Sequence, residues 1–225
     1  MKLIHPATVI VCGGTGSGKT ELTKKLLLFR DQVFDNMPTP AKVTWCYGAV
    51  KPDLRSVRAN GLNLSFHEGL VDEDFIKDTR PDIIVVDDLM NEIGQSSLVT
   101  DLFTKFSHHL NLTVIFITQN LYAKGQVTVK RNAHYIFLTR NPSDKTQITT
   151  MASQLFPRRK QALEHFFESF DDATREKYGY LLVDVSPHGD ENYKLRTNIF
   201  PEPDGKTRTI VYQMKNSARI SGSSH

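Results

Sequence analysis

The sequence predicts an α/β chain built on a doubly wound, mostly parallel sheet. Three observations carry this. Short apolar runs rich in β-branched residues alternate with segments whose apolar residues recur at helical spacing, the pattern of strand–helix–strand units. Two of those runs, residues 83–86 and 114–117, are unbroken apolar stretches bounded by polar residues, as strands buried on both faces are. The third observation is a glycine-rich octapeptide, residues 13–20, that joins the apolar run 8–11 to a helical pattern. Sheets of this class place ligands at such strand-to-helix junctions.

At 225 residues, with 39% hydrophobic and 24% charged side chains, the chain has the make-up of one globular domain that needs no disulfide or metal staple. The expected division is a main domain over 1–200 and a C-terminal extension over 201–225, basic and serine-rich at its end, where disorder is expected. A net charge of +3 neither demands a nucleic-acid partner nor excludes one. Cys12 and Cys46 read as small buried hydrophobes in a reducing compartment. Residues 1–6 turn polar too quickly for a signal peptide, and no run approaches the roughly 20 apolar residues of a membrane helix. The expectation is an intracellular protein without a membrane partner.

In order, residues 8–11 read as the first strand, and Leu22, Leu26 and Phe29 mark the first helix. Residues 31–40 read as a loop, 43–47 as a strand, 51–61 as a short helix, 64–66 as a strand and 71–78 as a helical turn or two. The strand at 83–86 ends in Asp87-Asp88. Ser96-Ser97 is a candidate cap for an amphipathic helix carrying Val99, Leu102, Phe103, Phe106 and Leu110. Residues 113–118 form a buried strand ending in Gln119-Asn120, 121–131 a loop, and 133–139 a further strand. Two helices follow, one with Ile148, Met151, Ala152 and Leu155 inward, the other with Leu163, Phe166, Phe167 and Phe170. A late strand covers 180–185, and short extended patches lie at 193–200 and 209–213.

The octapeptide is Gly13-Gly14-Thr15-Gly16-Ser17-Gly18-Lys19-Thr20. Strand, glycine-rich loop, Lys-Thr and helix together are the context of a phosphate-binding (Walker A) loop. Its glycines let backbone N–H groups approach phosphate oxygens, and the helix N-terminus adds partial positive charge. Lys19 is placed to reach the β and γ phosphates of ATP, and Thr20 to put its hydroxyl on Mg²⁺. A carboxylate is needed to share that metal, and Asp87 fits. Asp88 is then available as general base toward a water. Gln119, at the next strand end, is a candidate γ-phosphate sensor. Arg140, directly after a strand, is the first candidate for an arginine that reaches a neighbouring subunit's nucleotide, ahead of Arg131 and Arg80. Tyr122, Lys124, Lys130 and Arg131 read either as a solvated loop or as a nucleic-acid contact with Tyr122 stacking. His108-His109 has the wrong spacing to converge on one metal ion.

The motifs GGTGSGKT and IIVVDDL, and then the segments FTKFSHHLNLTVIFITQNLY, NAHYIFLTRNPSD and YGYLLVDVSP, resemble the genome-packaging ATPases of the FtsK–HerA superfamily. The forms of Polinton/Maverick elements and adintoviruses are the most similar, the poxvirus ATPases less so. The resemblance covers roughly residues 8–200, and the block 107–144 is its most specific part. It implies a P-loop NTPase fold with RecA/FtsK–HerA-like strand order, the Gln119 strand lying between the first strand and the Asp87 strand. It further implies a homo-oligomeric ring, a hexamer or a pentamer, that drives double-stranded DNA into a viral capsid, with the capsid or a portal-like vertex as its partner. The site of action would be the host nucleus or cytoplasm where virions assemble, or the virion itself. Lys19, Thr20, Asp87 and Gln119 carry over in the roles given above. Many members have glutamate as the second acid, where this chain has Asp88 with its shorter reach. No FtsK-type C-terminal DNA-reading domain is expected, and any DNA contact is therefore expected from loops lining the ring.

Two other readings stand beside the motor. A small P-loop kinase would carry a lid with several arginines. A nucleotide-dependent switch or scaffold would carry an Asn-Lys-X-Asp element for guanine, which the sequence lacks.

Overall fold

The computed structural model describes every residue except 1, 59–61, 88, 90–97, 108–109, 124–125, 143, 158 and 215–225, together with the side chains of 56, 58 and 98. Asp88, the Ser96-Ser97 cap, His108-His109, Lys124 and the end of the C-terminal extension therefore lie outside the described residues.

A single sheet of nine strands organises the chain. The strands are β1 (Thr8–Cys12), β2 (Lys42–Tyr47), β3 (Asn63–Glu68), β4 (Ile83–Asp87), β5 (Thr113–Thr118), β6 (Tyr135–Thr139), β7 (Tyr180–Asp184), β8 (Leu195–Thr197) and β9 (Ile210–Val211), in the order β3-β2-β4-β5-β1-β6-β7-β8-β9. From β3 to β6 every pairing is parallel, and β7, β8 and β9 add antiparallel. The mostly parallel sheet expected from the buried apolar runs is thus present, with β5 between β4 and β1.

Alternation along the central strands builds two cores, one on each face. Ile10, Ile84, Val86, Val114 and Phe116 face one core. It is covered by α4 (Glu73–Thr79), α5 (Leu98–Asp101), α6 (Gln126–Arg131), α7 (Thr146–Leu155) and α8 (Lys160–Ala173). Val9, Val11, Ile83, Val85, Ile115 and Ile117 face the other, beneath α1 (Lys19–Leu28), α2 (Arg30–Val33) and α3 (Arg55–Arg58). Helices on both faces are what strands without a polar side require. Cys12 and Cys46 are buried and unbridged, and burial pushes the Cys12 thiol up to about 12.

Three local expectations change. Residues 121–131 are not all loop, because Gln126–Arg131 forms α6. Valine and threonine there are poor helix formers, but Val129 is fully buried against the core and that burial decides the conformation. Residues 31–33, expected in a loop, join Arg30 in the single turn α2. The amphipathic helix after residue 97 widens into a π turn over Leu102–Phe106, closed by Ser107 N–H donating to the Leu102 carbonyl.

The antiparallel edge is held by an ion pair. The Arg196 guanidinium, 1% exposed, donates to Asp184 at 2.8 Å, and burial lowers its pKa. Two of its nitrogens have no partner, so Asp184 is the group that keeps this charge tolerable. We predict that Asp184→Ala costs about 3–5 kcal/mol, read as a lower urea midpoint. A loss under about 1 kcal/mol would place the pair among solvent-screened ones.

Candidate functional site

The site is built at the end of the parallel strands. Register sets Asp87 beside Ile117, and Cys12 beside Thr118, so the ends of β4, β5 and β1 are flush. The ladder then continues into the glycine-rich loop. Gly13 N–H donates to the Thr118 carbonyl and Gly14 N–H to the Arg140 carbonyl, both at 3.3 Å. The loop therefore leaves the sheet fixed by both neighbouring strands.

Its glycines have separate reasons. A Cβ on Gly13 would fall 1.8 Å from the Thr139 hydroxyl oxygen, and one on Gly18 2.5 Å from the Tyr178 ring. Gly16 has open space but a φ of +73°, which a side chain resists. Thr139 donates its hydroxyl hydrogen to the Cys12 carbonyl at 3.2 Å, so the Ser17 hydroxyl is the donor in the 2.6 Å Ser17–Thr139 bond. The loop is pinned to β6 as well as to β1.

Helix α1 starts at Lys19, behind Gly18 at φ 95° with no side-chain cap. Its first N–H groups have no intrahelical acceptor, and they point at the loop. The Lys19 ammonium donates to the carbonyls of Gly13 and Gly14 at 2.9 and 2.8 Å, which puts its charge at the loop's centre.

A pocket of about 190 Å³ opens here, lined by Thr15, Gly16, Lys19, Thr20, Asp87, Ile117, Thr118 and Gln119. Residues from three separate stretches of sequence thus meet at one place. The Thr15 hydroxyl donates to Gln119 Oε1 at 3.2 Å and ties the loop to the end of β5. The Thr20 hydroxyl and the Asp87 carboxylate are hard oxygen donors on one wall, a set that fits Mg²⁺ brought in with a polyphosphate. Among the described residues no cluster of three or more His, Cys, Asp or Glu side chains could hold a metal unaided, so phosphate and water would complete the coordination.

No protein-family model matches the chain, and no curated protein matches it in sequence. Solved structures do. The chain is similar to the genome packaging NTPase B204 of Sulfolobus turreted icosahedral virus 2 in complex with ATP-gammaS. The TM-score is 0.52 at 13% identity, over 80% of this chain and 92% of that one. The same protein in complex with sulfate gives a TM-score of 0.50 at 13% identity, over 80% and 91%. The fold is that of the P-loop NTPases.

The candidate arginines separate by sheet edge. Arg140 follows β6 and is exposed on the edge that carries the loop. Arg80 caps the end of α4 just before β4, and Arg131 ends α6 just before β6. In a parallel array both therefore lie at the opposite edge. Tyr122 and Lys130 are turned toward each other, with the Lys130 ammonium 4.3 Å from the Tyr122 ring centre and both polar ends on the side-chain carbonyl of Gln154. Burial lowers the pKa of Lys130, with the Arg131 charge adding to it, and burial lifts Tyr122 to about 12. Among the described residues no helix is long and apolar enough to cross a membrane.

Sequence reasoning missed the residue that holds Gln119. Gln147 of α7 is 6% exposed. Its amide nitrogen donates to the Gln119 carbonyl at 3.1 Å and to Asp144 at 2.7 Å, and its oxygen accepts from Leu121 N–H at 2.8 Å. Gln126 supports the same turn from α6 by accepting from the Thr118 hydroxyl at 3.1 Å. A glutamine on a helix gives no sign of this in sequence, because its two partners in the turn after β5 lie 26 and 28 positions away. We predict that Gln147→Leu, which keeps the volume and removes the hydrogen bonds, lowers stability by about 1–3 kcal/mol. It should slow nucleotide turnover more than it weakens nucleotide binding. Equal losses in both, measured by steady-state kinetics and titration calorimetry, would mean that Gln147 supports the fold only.

Proposed function

We propose that the chain is the ATP-hydrolysing subunit of a motor that moves double-stranded viral DNA into a capsid, of the FtsK–HerA type found in Polinton/Maverick elements and adintoviruses. The observation that carries this reading is the insertion of β5 between β4 and β1, which sets Gln119 against Thr15 on the wall shared with Lys19, Thr20 and Asp87. An amide at that point can orient the attacking water or sense the γ-phosphate, and a motor must report the state of its γ-phosphate to the rest of the subunit. The likeness to a virus's genome packaging NTPase, solved with ATP-gammaS, supports the same class.

In this mechanism the loop amides and Lys19 bind the β and γ phosphates of ATP and stabilise the charge that grows on them during transfer. Thr20 and Asp87 would hold Mg²⁺, which supplies charge neutralisation at the phosphoryl oxygens. Asp88 takes the proton of the attacking water as general base. Gln119 orients that water or senses the γ-phosphate, and Gln147 and Gln126 pass any shift of Gln119 to α7 and α6. A homo-oligomeric ring, a hexamer or a pentamer, would let an arginine from one subunit complete the site of the next. Double-stranded DNA would run through the ring toward a capsid vertex, in the host nucleus or cytoplasm or in the virion.

The decisive experiment is an ATPase assay with and without duplex DNA, on material sized by light scattering. Duplex DNA should raise turnover several-fold, Lys19→Ala should remove most nucleotide binding, and Asp88→Asn should bind ATP without turning it over. DNA-independent hydrolysis by a monomer would end the motor reading, and wild-type turnover by Asp88→Asn would end the base assignment. Arg140→Ala should be inactive alone and recover activity when mixed with Lys19→Ala subunits that keep Arg140. Without recovery, the arginine acts within its own subunit or not at all.

A further inference from the structure

Beside the phosphate pocket the loop has a second opening. It is a cavity of about 430 Å³ lined by Thr15, Gly16 and Ser17 on one side, Arg140 and Pro142 on another, and the turn 175–179 on a third. It shares Thr15 and Gly16 with the pocket that holds Lys19, Thr20 and Asp87, so one molecule crossing the loop would occupy both.

The turn is built to hold an aromatic ring at this spot. Tyr178 has a φ of 64°, a conformation a bulky residue rarely adopts, and it is 48% exposed. The turn is closed by Gly179 N–H donating to the Glu176 carbonyl at 3.0 Å, and a Cβ on Gly179 would fall 2.5 Å from the Ala173 carbonyl oxygen. The Tyr178 ring rests on Gly18 at the start of α1, where a side chain would displace it. The Lys177 ammonium stands 4.9 Å from the ring centre. Arg140 and Lys177 line the opening with one carboxylate, Glu176, while Arg175 is paired with Asp172 at 2.9 Å, so the opening keeps a positive excess that suits a phosphate-bearing ligand.

We propose that this cavity is the nucleoside half of the nucleotide site, with the base stacked on the Tyr178 ring. The inference rests on the nucleotide-binding reading of the loop. Its volume lies in the range of small-molecule sites, and its one aromatic wall stands where the chain of phosphates would leave the loop. A π-face serves any base, so the site takes nucleoside triphosphates with little preference among bases.

The test measures affinities of ATP, ADP and inorganic tripolyphosphate for the full chain and for Tyr178→Ala, Tyr178→Phe and Lys19→Ala, by competition with a fluorescent ATP analogue. Tyr178→Ala should weaken ATP and ADP about tenfold, the loss of one ordinary base–aromatic stack, and leave tripolyphosphate unchanged. Tyr178→Phe should bind all three as the natural chain does. Unchanged ATP affinity in Tyr178→Ala would overturn the inference and leave the phosphate loop standing. So would equal weakening of ATP and tripolyphosphate, since Tyr178 would then act by shaping the loop. If the natural chain bound none of the three, the nucleotide reading itself would fall.

Discussion

Everything at the site depends on the register of three parallel strands. Because β4, β5 and β1 end flush, Asp87, Gln119 and the glycine-rich loop reach the same height above the sheet. The bonds from Gly13 N–H to Thr118 and from Gly14 N–H to Arg140 extend that register by two residues into the loop. A slip of one residue in β5 would turn its alternate side chains to the wrong face and carry Gln119 away from Thr15. The apolar surfaces on both faces hold the register, since a slip of one residue would exchange the two cores.

The antiparallel edge has a positional consequence. Chain leaving β6 passes through α7 and α8 before it re-enters the sheet. Two helices return it to the edge it left, so β7 runs antiparallel to β6 and begins on the same side as the loop. That is why the turn 175–179 lies against Gly18. A crossover through one helix would have given a parallel strand and left the turn at the far edge. The same hairpin of helices brings Gln147 under Gln119, so one excursion of the chain supports both sides of the candidate site.

Much of the site was legible because its signals are local. The loop is eight consecutive residues, and the strands before it and at 83–86 and 114–117 announce themselves by unbroken apolar runs. Asp87 and Gln119 stand at the ends of those runs, and the pocket brings both to Lys19 and Thr20. Arg140 ranks above Arg131 and Arg80 in the sequence because it directly follows a strand, and of the three it alone lies on the edge that carries the loop. Helix α6 reads as loop in the sequence because Gly125 and polar residues surround Val127, Thr128 and Val129, which are poor helix formers, and the core contact of Val129 that decides the helix is remote in sequence.

The sequence by itself determined the class of sheet, the phosphate-type loop and the residues at its strand tips, since each follows from spacing within a dozen neighbouring positions. The tertiary structure alone decided what supports them: Thr139 against Gly13, Gln147 beneath Gln119, Tyr178 on Gly18 and Asp184 beside Arg196. These pairings are set by how helices return the chain to the sheet. The residues concerned are ordinary threonines, glutamines, tyrosines and aspartates until packing removes water from around them and makes one particular partner necessary.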